Sequence, residues 1–435
     1  MKRKAMNGLI QWKETKNSPL FLIEGVKGVG KTYLAIDFAK NYYSEYFYLN
    51  FEYKPEAVSF FTEKLLAGET IESVLVEYFQ IPEVFLYHSL FVFDEISFCP
   101  VFVRFLLQCA KTKLKCLLLS SFSTQETKAI FSNFFYSFLR PLDFEEFLMS
   151  VGSDWYIKMV QAHFQNQKPI PDIVHQELLA LLEEYLIVGG MPSVINEYIQ
   201  LGSTINLQET QQLQLLHIES ALAHLYAEND ANKMFQILKV IPEQFIKENH
   251  KFQWNLIRKG VTYSLYEDCL NLLTEHGVVL RLNNENQNKT SFKLYSADVG
   301  ILYSILPKVE QHRKMSRKLK NANQIQSQSQ MAAEEGMPFA TKQILLEQYI
   351  MQELSAKKHH ICFWESTSKA KLEFLLHIKE GSVPIEVQVG EHKRLRSLSV
   401  YTNTNEYAYA LRISFKNFYV TDNIKNIPYY AVFCL

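Results

Sequence analysis

The stretch Gly25-Val26-Lys27-Gly28-Val29-Gly30-Lys31-Thr32 follows the uninterrupted apolar run Leu20-Phe21-Leu22-Ile23 and leads into Leu34, Ala35, Phe38 and Ala39, which share one face of a helix. A buried strand, a glycine-rich loop and a helix N-terminus in that order make a cradle for an anion. Glycines let successive backbone N–H groups curl around a phosphate, and the helix dipole adds positive potential. Within the pattern G-x-x-x-x-G-K-[ST], Gly25, Gly28 and Gly30 shape the loop. Lys31 is placed for the β- and γ-phosphates, and the Thr32 hydroxyl for a Mg²⁺ ion. Tyr33, the next residue, is expected beside the bound nucleotide.

Leu90-Phe91-Val92-Phe93-Asp94-Glu95 supplies the second half of such a site: an apolar strand ending in two acids at its C-terminal edge, where α/β sheets bind ligands. Asp94 is expected to hold Mg²⁺, and Glu95 to orient and polarise an attacking water. A competing reading has the two acids simply cap the helix that follows. A further strand, Cys116 to Ser121, ends in two serines; Ser120 stands where a sensor of the γ-phosphate belongs, and a pair of turn serines is the plain alternative. The guanine-reading pattern Asn-Lys-x-Asp has its nearest approach in Asn288-Lys289-Thr290-Ser291, which lacks the acid, so ATP with Mg²⁺ is the expected ligand.

Leu20 to Glu24, Tyr46 to Phe51, Leu90 to Asp94 and Cys116 to Ser121 are short continuous apolar runs separated by helical patterns, one of them opened by Pro100. This alternation predicts βαβ units and a parallel sheet, an α/β P-loop domain of the additional-strand type over residues 1–144. Residues 145–250 read as a helical lid broken at Gly189-Gly190-Met191-Pro192, and residues 251–306 as a winged helix: helix, turn at Gly260, helix from Ser264 to Glu275, strand from Val278 to Leu282. Residues 307–340, with a basic run and Gln326-Ser-Gln-Ser-Gln330, read as a flexible linker, and residues 341–435 as a closing α/β module.

The chain has 435 residues, room for two or three domains, with 48% hydrophobic and 14% aromatic residues. No apolar run approaches the roughly 20 residues a membrane helix needs. The basic start Met1-Lys2-Arg3-Lys4 is followed by Asn7, Gln11, Lys13 and Glu14, which break up any signal-like apolar region, so a cytoplasmic protein is expected. Six scattered cysteines without a C-x-x-C pair fit reduced thiols, and a net charge of −1 excludes a polyanion-seeking field over the whole molecule.

The sequence resembles a large prokaryotic family of AAA+-related ATPases that join a P-loop domain, a winged-helix middle domain of unknown function and a C-terminal restriction-endonuclease-like domain. The resemblance runs through Trp12-Lys13, Gly25 to Thr32, Tyr48 to Glu52, Phe93 to Glu95, Pro141 to Phe147, Tyr185 to Pro192, Lys293 to Tyr295 with Asp298 and Gly300, Pro384 to Val387 and Ile427 to Phe433, so it spans nearly the whole chain. Where the family's loop reads Arg-Gln this chain has Lys27-Gly28. The family's Gly-Arg pair falls near Ser132-Asn133, so its candidate arginine finger is missing, with Arg140 and Arg104 the nearest substitutes.

The resemblance also implies a metal site of the form D…E-x-K, whose carboxylates hold a divalent ion and whose Lys assists the water. The aligned residues are Glu373, Glu386 and Gln388, with Glu347 on the preceding helix; a neutral Gln388 points to a dead or crippled nuclease. The would-be recognition helix carries Glu267, Asp268 and Glu275 and no Lys or Arg, so any hold on DNA is expected to be weak and non-specific. The expected function is ATP binding and hydrolysis; a nucleotide-gated switch with little turnover and an ATP-dependent nuclease are the alternatives. Self-association into a homo-oligomer stays open.

Overall fold

The computed structural model of the chain describes all residues except 16–17, 110–111, 123–126, 128–133, 246, 248–249, 287–289, 307–336, 358, 367–369, 391–395 and 422. The expected linker, Ser132-Asn133, Asn288-Lys289 and the basic pair Lys393-Arg394 therefore lie largely or wholly outside the described residues. Packing divides the chain into two compact units, Met1–Pro141 and Leu142–Leu435.

The first unit runs α1 (Met6–Glu14), β1 (Leu20–Glu24), α2 (Lys31–Tyr42), β2 (Tyr46–Asn50), α3 (Pro55–Leu66), α4 (Ile71–Phe79), β3 (Leu90–Asp94), α5 (Pro100–Cys109), β4 (Lys115–Ser120) and β5 (Phe135–Phe138). Among the described residues its five strands form one parallel sheet in the order β2-β3-β4-β1-β5. The apolar runs are continuous because both faces are covered: every residue of β1 and β3 is buried. One face packs an aromatic cluster in which Phe93 lies 4.6 Å from Phe102, and Phe102 lies 5.2 Å from Phe51, ring centre to ring centre. Pro55 starts α3 in the first turn, where its missing N–H costs nothing, and the Thr70 hydroxyl caps α4 by accepting from Ser73 N. The loop strand β1 and the acid strand β3 are not neighbours, because β4 is inserted between them. That order sets the end of β4 between the phosphate loop and the acids.

The second unit opens with helices α6 (Phe144–Ser150), α7 (Trp155–Asn166), α8 (Asp172–Val188), α9 (Pro192–Leu201), α10 (Gln208–Leu225), α11 (Glu228–Gln244) and α12 (Tyr263–Glu275). It continues with β6 (Val279–Asn284), β7 (Phe292–Ser296), α13 (Val299–Ile305), α14 (Phe339–Ala356), β8 (His360–Glu365), β9 (Lys371–Ile378), β10 (Gly381–Gln388), α15 (Arg396–Thr404), β11 (Ala410–Ser414), β12 (Tyr419–Thr421) and β13 (Ile424–Pro428). Among the described residues its eight strands form a single sheet, β12-β13-β11-β10-β9-β8-β6-β7. The strand read from sequence in the winged helix, Val278 to Leu282, falls on β6, which pairs with β7 at the edge of the same sheet that carries the closing strands, joined by the pairing of Asn283 with Cys362.

Two local features lock this unit. At the Gly189-Gly190 break, a methyl group on Gly190 would lie 2.1 Å from Leu142 O, so only glycine lets the segments approach. Asp298 caps α13 through Gly300 N and Ile301 N and also accepts from Gly190 N at 2.6 Å. The second feature is α14, whose buried polar residues stand in for backbone pairing. Gln348 both accepts from Ser296 N and donates to Ser296 O at 2.9 Å, Gln352 accepts from Val299 N, and Glu353 accepts from Phe144 N.

Candidate functional site

The phosphate loop turns on two left-handed glycines, Gly28 at φ +83° and Gly30 at φ +95°, conformations that side chains disfavour. Gly25 is required for space: a methyl group there would lie 2.2 Å from Leu139 O. Gly30 leads directly into α2 with no side-chain cap and no acidic residue in the first turn, a setting in which a helix N-terminus favours an anion. Arg3 braces the loop from outside, donating to Val29 O at 2.9 Å and Arg140 O at 2.6 Å.

Lys31 is buried and folded back on the loop, donating to Gly25 O at 2.8 Å, Val26 O at 3.2 Å and Ser121 Oγ at 2.9 Å. Burial lowers its pKa from the ordinary lysine value, while Glu95 and Asp94 oppose the shift. Thr32 Oγ1 donates to Asp94 Oδ2 at 2.6 Å, and the Tyr48 hydroxyl donates to the same oxygen at 2.9 Å. The other Asp94 oxygen accepts from Glu95 N at 2.9 Å. Burial raises the Asp94 pKa, with the Glu95 charge acting in the same direction.

Glu95 has a left-handed backbone, φ +51°, unusual for a residue with a side chain and a recurrent sign of a working position. It precedes the short 3₁₀ turn Ile96–Phe98 without capping it; its carboxylate instead accepts from Ser121 N at 3.0 Å, from Ser121 Oγ, and from Lys27 Nζ at 3.4 Å. The helix-capping alternative for this acid is set aside by that geometry. Burial works against its charge, but the Lys31 and Lys27 ammoniums prevail and hold its carboxyl below the usual range. Lys27 also pairs with Glu52, and its ammonium lies 5.7 Å from the centre of the Tyr53 ring. Burial opposes the Lys27 charge, yet Glu95 and Glu52 outweigh it and raise its pKa.

The structure therefore brings together Lys31, Thr32, Asp94 and Glu95. Of the two serines it is Ser121 that meets Lys31 and Glu95, while the Ser120 hydroxyl donates to Phe122 O at 3.0 Å. Tyr33 points outward, 58% exposed, with its hydroxyl 3.3 Å from the Met1 ammonium. Arg140 lies beside the loop, its guanidinium 5.3 Å from the Phe138 ring centre and its pKa lowered by burial; Arg104 is exposed on α5. Sequence reasoning missed Lys27, Glu52, Tyr48 and Arg3 as members or supports of the site. The acidic end of Tyr48-Leu-Asn-Phe-Glu52 was the available signal for Glu52.

In the second unit, Glu347, Glu373, Lys293, His250 and Lys371 line a cavity of about 70 Å³. Glu347 accepts from Lys293 Nζ at 2.8 Å, from the Tyr295 hydroxyl at 2.7 Å, and lies 2.7 Å from His250 Nδ1. Burial opposes the Glu347 charge, but Lys293 and His250 hold its pKa far below the carboxylate range; burial raises Glu373. Val387 of β10 and Val389 just beyond the strand line this cavity, whereas Glu386 reaches Arg412 Nε at 3.5 Å and Gln388 donates to Gly390 O. Among the described residues no group of three or more His, Cys, Asp or Glu side chains is arranged to hold a metal ion. No helix among them is long and apolar enough to cross a membrane.

A parallel sheet with β4 inserted between the loop strand and the acid strand, and a Lys-Thr pair facing an Asp-Glu pair, give the first unit the architecture of a P-loop domain. Residues 17–148 match the family described as AAA domain, and residues 179–312 match a family described as a domain of unknown function, DUF8612. No curated protein matches the chain. Among solved structures, the Walker-type ATPase PABY2304 of Pyrococcus abyssi is similar at 17% identity and a TM-score of 0.43, over 70% of this chain and 95% of that one. AMPPCP-bound DnaA from Aquifex aeolicus is similar at 12% identity and a TM-score of 0.27, over 62% and 76%. Drosophila ORC bound to DNA is similar at 12% identity and a TM-score of 0.27, over 67% and 90%.

Proposed function

We propose that the chain binds Mg·ATP at the loop Gly25–Thr32 and hydrolyses it, with Lys31 on the β- and γ-phosphates and Glu95 as the water-orienting base. The observation that carries this reading is the single network Thr32–Asp94 and Lys31–Ser121–Glu95, which unites the phosphate loop with both acids. The oxygen pair Thr32 Oγ1 and Asp94 Oδ2 suits Mg²⁺, a hard ion that prefers hydroxyl, carboxylate and water ligands. When bound there, the ion would neutralise charge on the phosphates. Glu95, kept ionised by its two lysines, accepts the proton of the attacking water, and Lys31 exchanges its loop carbonyls for phosphate oxygens.

The lid (145–250), the winged helix (251–306), and the restriction-endonuclease-like module without cutting activity (341–435) belong to the same proposal, as does a cytoplasmic setting. A second reading, a nucleotide-gated switch with slow turnover, is favoured by one observation: the Glu95 carboxylate is already engaged by Ser121 and Lys27. Titration of the full chain with a fluorescent ATP analogue, followed by steady-state ATPase measurements, tests both. Failure to bind removes the reading; tight binding without turnover selects the switch.

A further inference from the structure

Among the described residues of the site, Lys27 is a cation to which the ATPase reading gives no contact with the phosphates. Phosphoryl transfer needs positive charge beyond the loop lysine, because charge spreads over the equatorial oxygens of the transferring group. Lys31, which turns from the loop carbonyls and Ser121 to the β- and γ-phosphates, is the loop lysine already assigned in that reading. Arg140 sits over Phe138 on the flank of the loop, and Arg104 is exposed on α5. Lys27, by contrast, projects from the phosphate loop itself and reaches both Glu52 and the Glu95 carboxylate, 3.4 Å away. A water held by Glu95 for attack on the γ-phosphorus lies within one hydrogen bond of that carboxylate, so an ammonium already touching Glu95 is beside the reacting centre. Its flexible four-carbon stem lets it swing from carboxylate to phosphate without movement of the backbone.

We propose that Lys27 is a catalytic cation supplied by the loop in cis. In the nucleotide-free chain it is held by Glu52 and Glu95; with ATP bound it turns to the γ-phosphate oxygens and frees Glu95 for the water. In the step it assists, the water oxygen bonds to the γ-phosphorus while the bond from that phosphorus to the β–γ bridging oxygen breaks. The electron pair leaves on the β-phosphate of ADP, and the water proton passes to Glu95 and then to solvent. Lys27 gains no covalent bond; it neutralises charge that is greatest in the transition state, so its effect belongs to turnover more than to ground-state affinity.

This inference rests on the ATPase reading, and the test separates the two. Wild type, Lys27→Ala and Lys27→Arg, all as full chains with matched thermal unfolding midpoints, are compared in three measurements: affinity for Mg·ATP, kcat, and affinity for ADP with aluminium fluoride, a mimic of the transferring phosphoryl group. Lys27→Ala is expected to lower kcat by about 10²- to 10³-fold and weaken capture of ADP–aluminium fluoride, with little change in affinity for ATP, and Lys27→Arg to recover turnover. Wild-type kcat in Lys27→Ala, or a loss confined to ATP affinity, would overturn the assignment while leaving the ATPase reading intact. Absence of Mg·ATP binding by wild type would take down both.

Discussion

The Lys31 ammonium donates to the Ser121 hydroxyl at 2.9 Å, joining the phosphate loop to the end of β4. Lys31 is therefore pre-aimed into the space between loop and acids, with partners it gives up when a phosphate enters. Lys31→Ala is expected to weaken Mg·ATP binding by about 10- to 100-fold, the equivalent of the roughly 1.5–3 kcal/mol of a hydrogen bond to a charged group. Fluorescent-nucleotide titration checks this, and equal affinities would remove the central role given to the loop.

Glu95→Gln keeps the size of the side chain and removes its basicity. Nucleotide affinity should persist while turnover falls by about 10²-fold or more, since binding is left intact and water activation is lost. Ser121→Ala, which deletes a hydroxyl shared by Lys31 and Glu95 but leaves both charges, should lower turnover less than Glu95→Gln. Equal hydrolysis by wild type and Glu95→Gln places the base elsewhere.

Asp298 offers a pH signature of folding. Burial pushes its carboxyl up to about 6, although Gly190, Ile301 and Gly300 N–H groups pull the other way. Because the folded value lies above the unfolded one, near 3.8, its contribution to stability is fully present below the unfolded value, is lost as pH rises toward 6, and is flat beyond. Asp298→Asn should flatten the dependence of the unfolding midpoint on pH between about 4 and 6, where one such group accounts for at most about 1.4 kcal/mol per pH unit. Its overall stability should fall, since an amide cannot accept from Gly190 on one side and from Gly300 and Ile301 on the other. Denaturant titrations at three pH values decide it; an unchanged slope would assign the pH response to another group.

Cleavage of plasmid or linear DNA with Mg²⁺ or Mn²⁺ is not expected, with or without ATP. Lys293 already satisfies Glu347, Glu386 is turned to Arg412, and Gln388 carries no charge. Gln388→Lys alone should not restore cutting while Glu386 stays with Arg412. Wild-type cleavage that disappears in Glu386→Ala would refute this. Any DNA retention should be weak and fall steeply with salt.

The phosphate loop and acid strand were legible because their chemistry is local: strand, glycines, Lys-Thr, then strand, Asp-Glu. The rest depends on pairing at a distance. The strand β5 is four residues long, follows a stretch largely outside the described residues, and gains its place only by pairing with β1 on the side away from β4. Ser121 rather than Ser120 meets Lys31 because adjacent residues leave a strand end in different directions, a one-residue distinction that composition does not carry. The contacts of Lys27 are not legible, since nothing in its neighbourhood of sequence announces Glu52 and Glu95, 25 and 68 residues on. The strand from Val278 reads locally as part of a winged helix; the pairing of β6 with β8 spans a long chain separation.

That last pairing governs how the protein can be divided. A fragment ending after residue 306 would leave β6 with an open backbone edge where Asn283 and Asn284 now meet Cys362 and Phe363, and it would strip α14 from Ser296 and Val299. An exposed edge of that kind recruits other chains. Expression of a middle fragment is therefore a route to aggregates, and the serviceable place to cut for separate biochemistry of the two units is the Pro141–Leu142 junction.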